Sequence, residues 1–118
     1  MRRKHHELQA WQLAVRLVKE IYSLTASFPS DERFGLTSQM RRAAISVPSN
    51  IAEGAARATA KEFLHFLHVA RGSLSELETQ IILAKELGFA KDTLMVDALV
   101  DEVFGKLGGL IKVKKAAL

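Results

Sequence analysis

TAKEFLHFLHVARGSLSELETQIILAKELGF, Thr59 to Phe89, decides the fold. Leu67, Ala70, Leu74, Leu77, Ile81 and Ala84 recur at alternating steps of three and four, the spacing that places side chains on one face of an α-helix. Thr59-Ala60-Lys61-Glu62 reads as a capping box, in which the Thr59 side chain accepts from the amide three residues on and Glu62 reaches back to the Thr59 amide. Gly88 stands where a left-handed residue closes a helix, with Phe89 placed to pack back on the last turn. The stretch carries its own start and stop, and predicts a helix over 60–87.

The same reading extends in both directions. Leu36, Met40, Ala43, Val47 and Ile51 form the stripe of a helix over 36–56, after the loop SDERFG. Leu8, Trp11, Val15, Val18, Tyr22 and Thr25 form the stripe of a first helix over 6–27. Ala14, Leu17, Ile21 and Phe28 make a second stripe beside it, so the apolar face is broader than a two-helix seam needs. Phe28-Pro29-Ser30 ends this helix, because the residue before a proline avoids the α region. Towards the C-terminus, Asp92 reads as the N-cap of a fourth helix over 92–114. Its stripe is Val96, Leu99, Val103, Leu107, Leu110 and Ile111, and Gly105, Gly108 and Gly109 weaken its end. No alternating strand pattern, internal repeat or low-complexity segment appears. Short links between long helices make neighbours antiparallel. The expected fold is all-α: one domain over 1–118, an antiparallel up-down-up-down four-helix bundle.

Composition narrows the classes of function. A chain of 118 residues supports one core. It has no cysteine, which excludes disulfides and thiolate metal sites. No apolar run approaches the roughly 18 residues of a membrane span. The start MRRKHHELQAWQ lacks the apolar stretch of a signal peptide. A cytoplasmic protein with no membrane partner is expected. The net charge of +4 and pI near 9.6 permit an acidic or nucleic-acid partner without requiring one.

RRAAISVPSNIAEGAAR, Arg41 to Arg57, puts two helix-weakening residues inside the second helix. Pro48 lacks an amide hydrogen and its ring presses on the Ala44 carbonyl, typically costing about 3 kcal/mol. A local bend is expected, with Ser46 and Ser49 near enough to help the freed backbone groups. Gly54 removes a side chain and lets another helix come close. The segment is read as a packing and assembly element.

These residues carry a resemblance. FPSDERFGLTSQMRRAAISVPSNIAEGAAR followed by EFLHFLHVARGSLSELETQIILAKELG resembles the four-helix-bundle family of 23S rRNA intervening-sequence proteins. The similarity spans Trp11 to about Leu110. The combination of GLTSQxRRAAxSxPxNIAEG with a downstream ARGSLxELExQ is specific. The N-terminal RRKHH and the C-terminal tail lie outside it. The resemblance implies a small α-helical protein without established catalytic activity. Some members assemble as homopentamers around a central channel. A similar barrel is the accessory protein of diversity-generating retroelements, where it binds nucleic acid and a reverse transcriptase. Some members are encoded inside insertions in ribosomal RNA genes.

The polar residues divide into constellations. Arg42, Ser46, Asn50 and Glu53 line one side of the second helix, with Gln39 and Arg57. Pairing through the short link at Arg57–Thr59 sets Arg42 opposite the Ser73–Glu78 region. This reads as a structural polar network of Arg42, Ser46, Asn50, Glu53, Glu76 and Glu78 that fixes helix register. Glu62-Phe63-Leu64-His65 has the Glu-x-x-His form of di-metal bundles. It lacks a second copy, and Glu62 is explained by the capping box. His65 and His68 read as surface histidines without further ligands. No nucleophile, phosphate loop or metal set emerges, so neither catalysis, cofactor nor metal is expected.

The basic residues form candidate phosphate-binding patches. Arg2, Arg3 and Lys4 make one; Arg41, Arg57, Lys61 and Arg71, with Arg42, make another; Lys112, Lys114 and Lys115 make a third. The phenylalanines lie mostly on core stripes, which argues against stacking on single-stranded bases. Leu13, Leu24, Leu64, Ile82, Met95 and Phe104 lie off the main stripes, a surplus of apolar surface that calls for a partner copy. The reading that results is a non-enzymatic homo-oligomer, a pentamer by resemblance, that serves as an RNA- or DNA-binding ribonucleoprotein accessory module. The alternatives are a protein-interaction scaffold without nucleic acid, and a small-molecule or metal-binding bundle.

Overall fold

The computed structural model describes residues 2–118. Its helices are α1 (Gln9–Thr25), α2 (Leu36–Ala55), α3 (Ala60–Glu86) and α4 (Leu94–Ala116), with no strand among the described residues. Short 3₁₀ turns occupy Lys4–Glu7 and Ser30–Glu32. α1 packs on α2 and α4, and α3 packs on the same two helices, so the four close around one core; the molecule measures 45 × 25 × 20 Å. Leu17, Ile21, Met40, Ile51, Leu67, Leu74, Leu77, Ile81 and Leu107 are fully enclosed in it.

Helix ends follow local chemistry, with three departures from expectation. α1 begins at Gln9, later than the periodicity suggests, because Leu8 is extended after the 3₁₀ turn. α4 begins at Leu94: Thr93, not Asp92, is the N-cap residue, and the Asp92 carboxylate accepts from the Leu94 amide at 3.2 Å. The capping box of α3 forms only in part. Thr59 Oγ1 accepts from the Glu62 amide at 3.1 Å, but the Glu62 carboxylate takes the Thr59 hydroxyl at 3.2 Å rather than the Thr59 amide. Replacing Thr59 with alanine should still cost about 1 kcal/mol through the lost cap. A fall in the urea midpoint with an unaltered slope checks this. At the other end Gly88 adopts φ +78°, which frees its amide to reach Lys85 and the Phe89 amide to reach Ala84. That is the Schellman arrangement, and it lays Phe89 against Phe28 at 5.8 Å.

The buried stripes of α3 and α4 match their sequence spacing, apart from a half-buried Leu110. On α1 the two adjoining stripes divide unequally. Its second stripe, Ala14, Leu17, Ile21 and Phe28, is the buried one. In the first, only Val15 and Tyr22 are exposed; Leu8, Trp11 and Val18 are half-buried against the core and Thr25 is buried. Four of the six surplus residues, Leu13, Leu24, Leu64 and Phe104, are half-buried against the core; only Ile82 and Met95 stand exposed.

Pro48 lies inside α2, which continues past it to Ala55. The Ser46 hydroxyl meets Ser73 and Asn50, and Ser49 is exposed. Gly54 sits at a close approach of α2 and α3. A β-carbon there would lie 2.8 Å from Phe66 Cβ and 3.2 Å from the Phe63 carbonyl oxygen. Helices this close require a residue without a side chain.

Candidate nucleic-acid interface

Three basic segments far apart in sequence meet at one end of the bundle. The link from α2 to α3 carries Arg57 and, one turn on, Lys61. Arg3 and Lys4 of the N-terminal turn share a groove of about 410 Å³ with Ala52, Ala55 and Arg57. From the last turn of α4, the Lys114 ammonium lies 5.0 Å from the Phe63 ring, which brings Lys112 and Lys115 to the same end. Arg57 sits 4.9 Å over the Phe66 ring and 3.7 Å from the half-exposed Glu53 carboxylate. An exposed pair of that kind is worth little and leaves the guanidinium open to a phosphate.

The N-terminal segment is folded onto α1 rather than extended as an arm. Arg2 donates to Glu7 Oε1 at 2.8 and 2.6 Å. Gln12 Nε2 donates to the His6 carbonyl at 2.7 Å. The His5 and His6 rings each lie 5.1 Å from Trp11. Partial burial, then the neighbouring His6 and Arg3 charges, lower the His5 pKa below its ordinary value. Arg2 is engaged by a carboxylate, and Arg3 and Lys4 line the groove.

The second sequence patch does not form one surface. Arg41 and Arg57 are separated by more than four turns of α2, roughly 24 Å. Arg41 is tied to α1: its Nε donates to Thr25 Oγ1 at 2.9 Å and its guanidinium lies 4.4 Å over the Tyr22 ring. Arg71, near the middle of α3, contacts His68 Nδ1 at 3.1 Å, away from the basic end.

The expected six-residue polar network is smaller in the structure. Asn50 Nδ2 donates to the Ser46 carbonyl at 2.8 Å and to Ser46 Oγ at 2.9 Å. Ser46 Oγ and Ser73 Oγ share a hydrogen bond of 2.9 Å between α2 and α3. Arg42 and Glu76 line the same groove but form no ion pair. Glu78 is exposed, and Glu53 turns to Arg57. The bond that joins α2 and α3 here is the neutral Ser46–Ser73 contact, where charge pairing was expected. Among the described residues no three His, Asp or Glu side chains converge as metal ligands.

Two surface features escape the sequence. Trp11, Val15, Val18, Tyr22, Ile45 and Pro48 wall an apolar groove of about 670 Å³ between α1 and α2. Phe34, in the loop before α2, is 88% exposed. Its position off every stripe was the available signal.

The fold and surface define a small all-α bundle with a basic end and an apolar flank. The chain belongs to the family of 23S rRNA-intervening sequence proteins, whose model matches residues 6–108. No curated protein matches it. No helix among the described residues is long and apolar enough to cross a membrane.

Proposed function

We propose that this protein is a non-enzymatic RNA-binding accessory module that works as a ring of identical antiparallel bundles, five by family resemblance, in the cytoplasm. The observation that carries the reading is the gathering of Arg3, Lys4 and Arg57 on one groove, with Lys61 in the first turn of α3 and the lysines of the α4 C-terminus at the same end of the bundle. Phosphate backbones are held by exposed cations, and a ring repeats each weak contact by symmetry. Family membership over residues 6–108 supports RNA as the polyanion.

The apolar groove supports self-assembly. Val15 and Ile45 on its walls are each 42% exposed in the single chain, and a patch of this kind commonly marks an interface. Leu87, Leu94 and Met95 at the α3–α4 link, exposed at 60, 79 and 56%, are the complementary apolar surface on the next copy. An interface joining two different surfaces closes into a ring when its rotation allows.

Gel mobility of a structured RNA and of duplex DNA over a salt series tests the binding. The expected result is retention of the RNA, weakening steeply with salt. Changing Arg3, Lys4, Arg57 and Lys61 together to alanine should flatten the slope of log K against log salt by about 0.7–0.9 for each phosphate contact removed. An unaltered slope rejects the basic end as the binding surface. The scaffold alternative, favoured by the apolar groove, requires that wild-type protein retain neither nucleic acid.

A further inference from the structure

We propose that the groove between α2 and α3 beside Phe34 is a subsite for one unpaired guanine of a bound RNA. The proposal rests on the RNA-binding reading and names what this second surface would recognise. Phe34, Ser38, Gln39, Arg42, Ser46, Ser73 and Glu76 line a groove of about 560 Å³, within the size range of small-ligand sites. Two of its lining residues are held in place: the Ser46–Ser73 hydrogen bond joins the two helices, and Asn50 donates to Ser46. Its rim carries Phe34, whose ring is exposed, with the Arg33 guanidinium 5.9 Å from the ring centroid.

The chemistry of the walls selects the ligand. Arg42 offers only hydrogen-bond donors, and an ionised Glu76 only acceptors. The two face one groove without pairing with each other. Guanine answers both at once: O6 and N7 accept from an arginine, and N1–H and the N2 amine donate to a carboxylate. Uracil has a single N–H, and adenine has no paired N–H donors beside a ring carbonyl. An exposed aromatic ring supplies the face on which an unstacked base rests, the usual mode of single-stranded RNA recognition. A duplex base has its Watson–Crick edge occupied and cannot present it to Glu76.

Fluorescence anisotropy with labelled ten-nucleotide RNAs tests this, using all-uridine and the same strand with one central guanosine. Wild-type protein should bind the guanosine strand about tenfold more tightly, the scale of one good base contact. Phe34→Ala should weaken that strand by about tenfold, the loss of one base stacked on an aromatic ring. Glu76→Gln should remove the guanosine preference and leave the all-uridine affinity unaltered. Phe34 and Glu76 are exposed, so the fold survives both changes, as circular dichroism can verify. Equal wild-type affinities for the two strands overturn the subsite. So does a Phe34→Ala protein that binds RNA normally but loses self-association, which would make the groove a contact between copies. If salt-dependent binding to structured RNA persists in either case, the basic-end reading stands while the subsite falls. If wild-type protein binds no RNA, both fall.

Discussion

Replacing Gly54 with leucine is expected to destabilise the bundle by several kcal/mol, enough to leave much of a domain with the usual 5–15 kcal/mol of stability unfolded. The argument is steric. Even a β-carbon at this position would sit 2.8 Å from Phe66 Cβ and 2.9 Å from Phe63 Cδ1. Phe63 Cδ1 could rotate away. Phe66 Cβ and the Phe63 carbonyl oxygen are fixed to the α3 backbone, so the helices must part. Overpacking by a few methylenes alone costs about 1–3 kcal/mol, and separating α2 from α3 also strains the Ser46–Ser73 hydrogen bond. At Gly54→Ala two effects compete. Alanine gains about 1 kcal/mol in helix propensity over glycine, but the clash with fixed atoms should outweigh it. Gly72→Ala, on the same α3, supplies the control. Its β-carbon meets nothing within 4 Å, so the propensity gain is unopposed and stability should rise by about 0.5–1 kcal/mol. Urea unfolding of the three variants reads these opposite signs. A stabilised Gly54→Ala protein would refute the packing argument.

The second large effect concerns assembly. Val15→Glu with Ile45→Glu should dissociate the oligomer by on the order of a hundredfold or more, since each unpaired charge buried in an interface costs more than the 1–3 kcal/mol of an unsatisfied neutral group. Both positions are already partly open to solvent in the single chain. The bundle itself should therefore fold normally, with an unchanged circular dichroism spectrum. The double variant should sediment near the 13.1 kDa of one chain while wild-type protein sediments as a multiple of it. An oligomer that survives both substitutions must use another face.

Much of the fold was legible because its determinants are local. The α3 stripe, the Thr59 cap and the Gly88 stop are each set within a few residues, and each forms in the structure. The α1 result marks where local information ends. Two apolar stripes side by side are equivalent in sequence, and only the placement of α2 and α4 decides that Ala14, Leu17 and Ile21 face the core while Val15 and Tyr22 face out. The candidate interface was legible as charge but not as surface. Arg41 looks identical to Arg42 in the sequence; a hydroxyl and a ring on α1 engage the first and leave the second exposed. Likewise, nothing near Lys114 indicates that it ends beside Phe63. The Arg42 pairing failed for a different reason. Shared placement in a groove does not bring two flexible side chains into contact when water solvates both ends, and such exposed pairs gain little by forming.

Sedimentation velocity of untagged protein mixed with a fluorescently labelled structured RNA tests most directly whether an assembled bundle binds RNA through its basic end. At low salt the labelled RNA should co-sediment with a whole-number multiple of the 13.1 kDa chain, five by family resemblance, and should be released as salt rises. RNA that sediments alone at every salt concentration, or that carries a single chain, would contradict it.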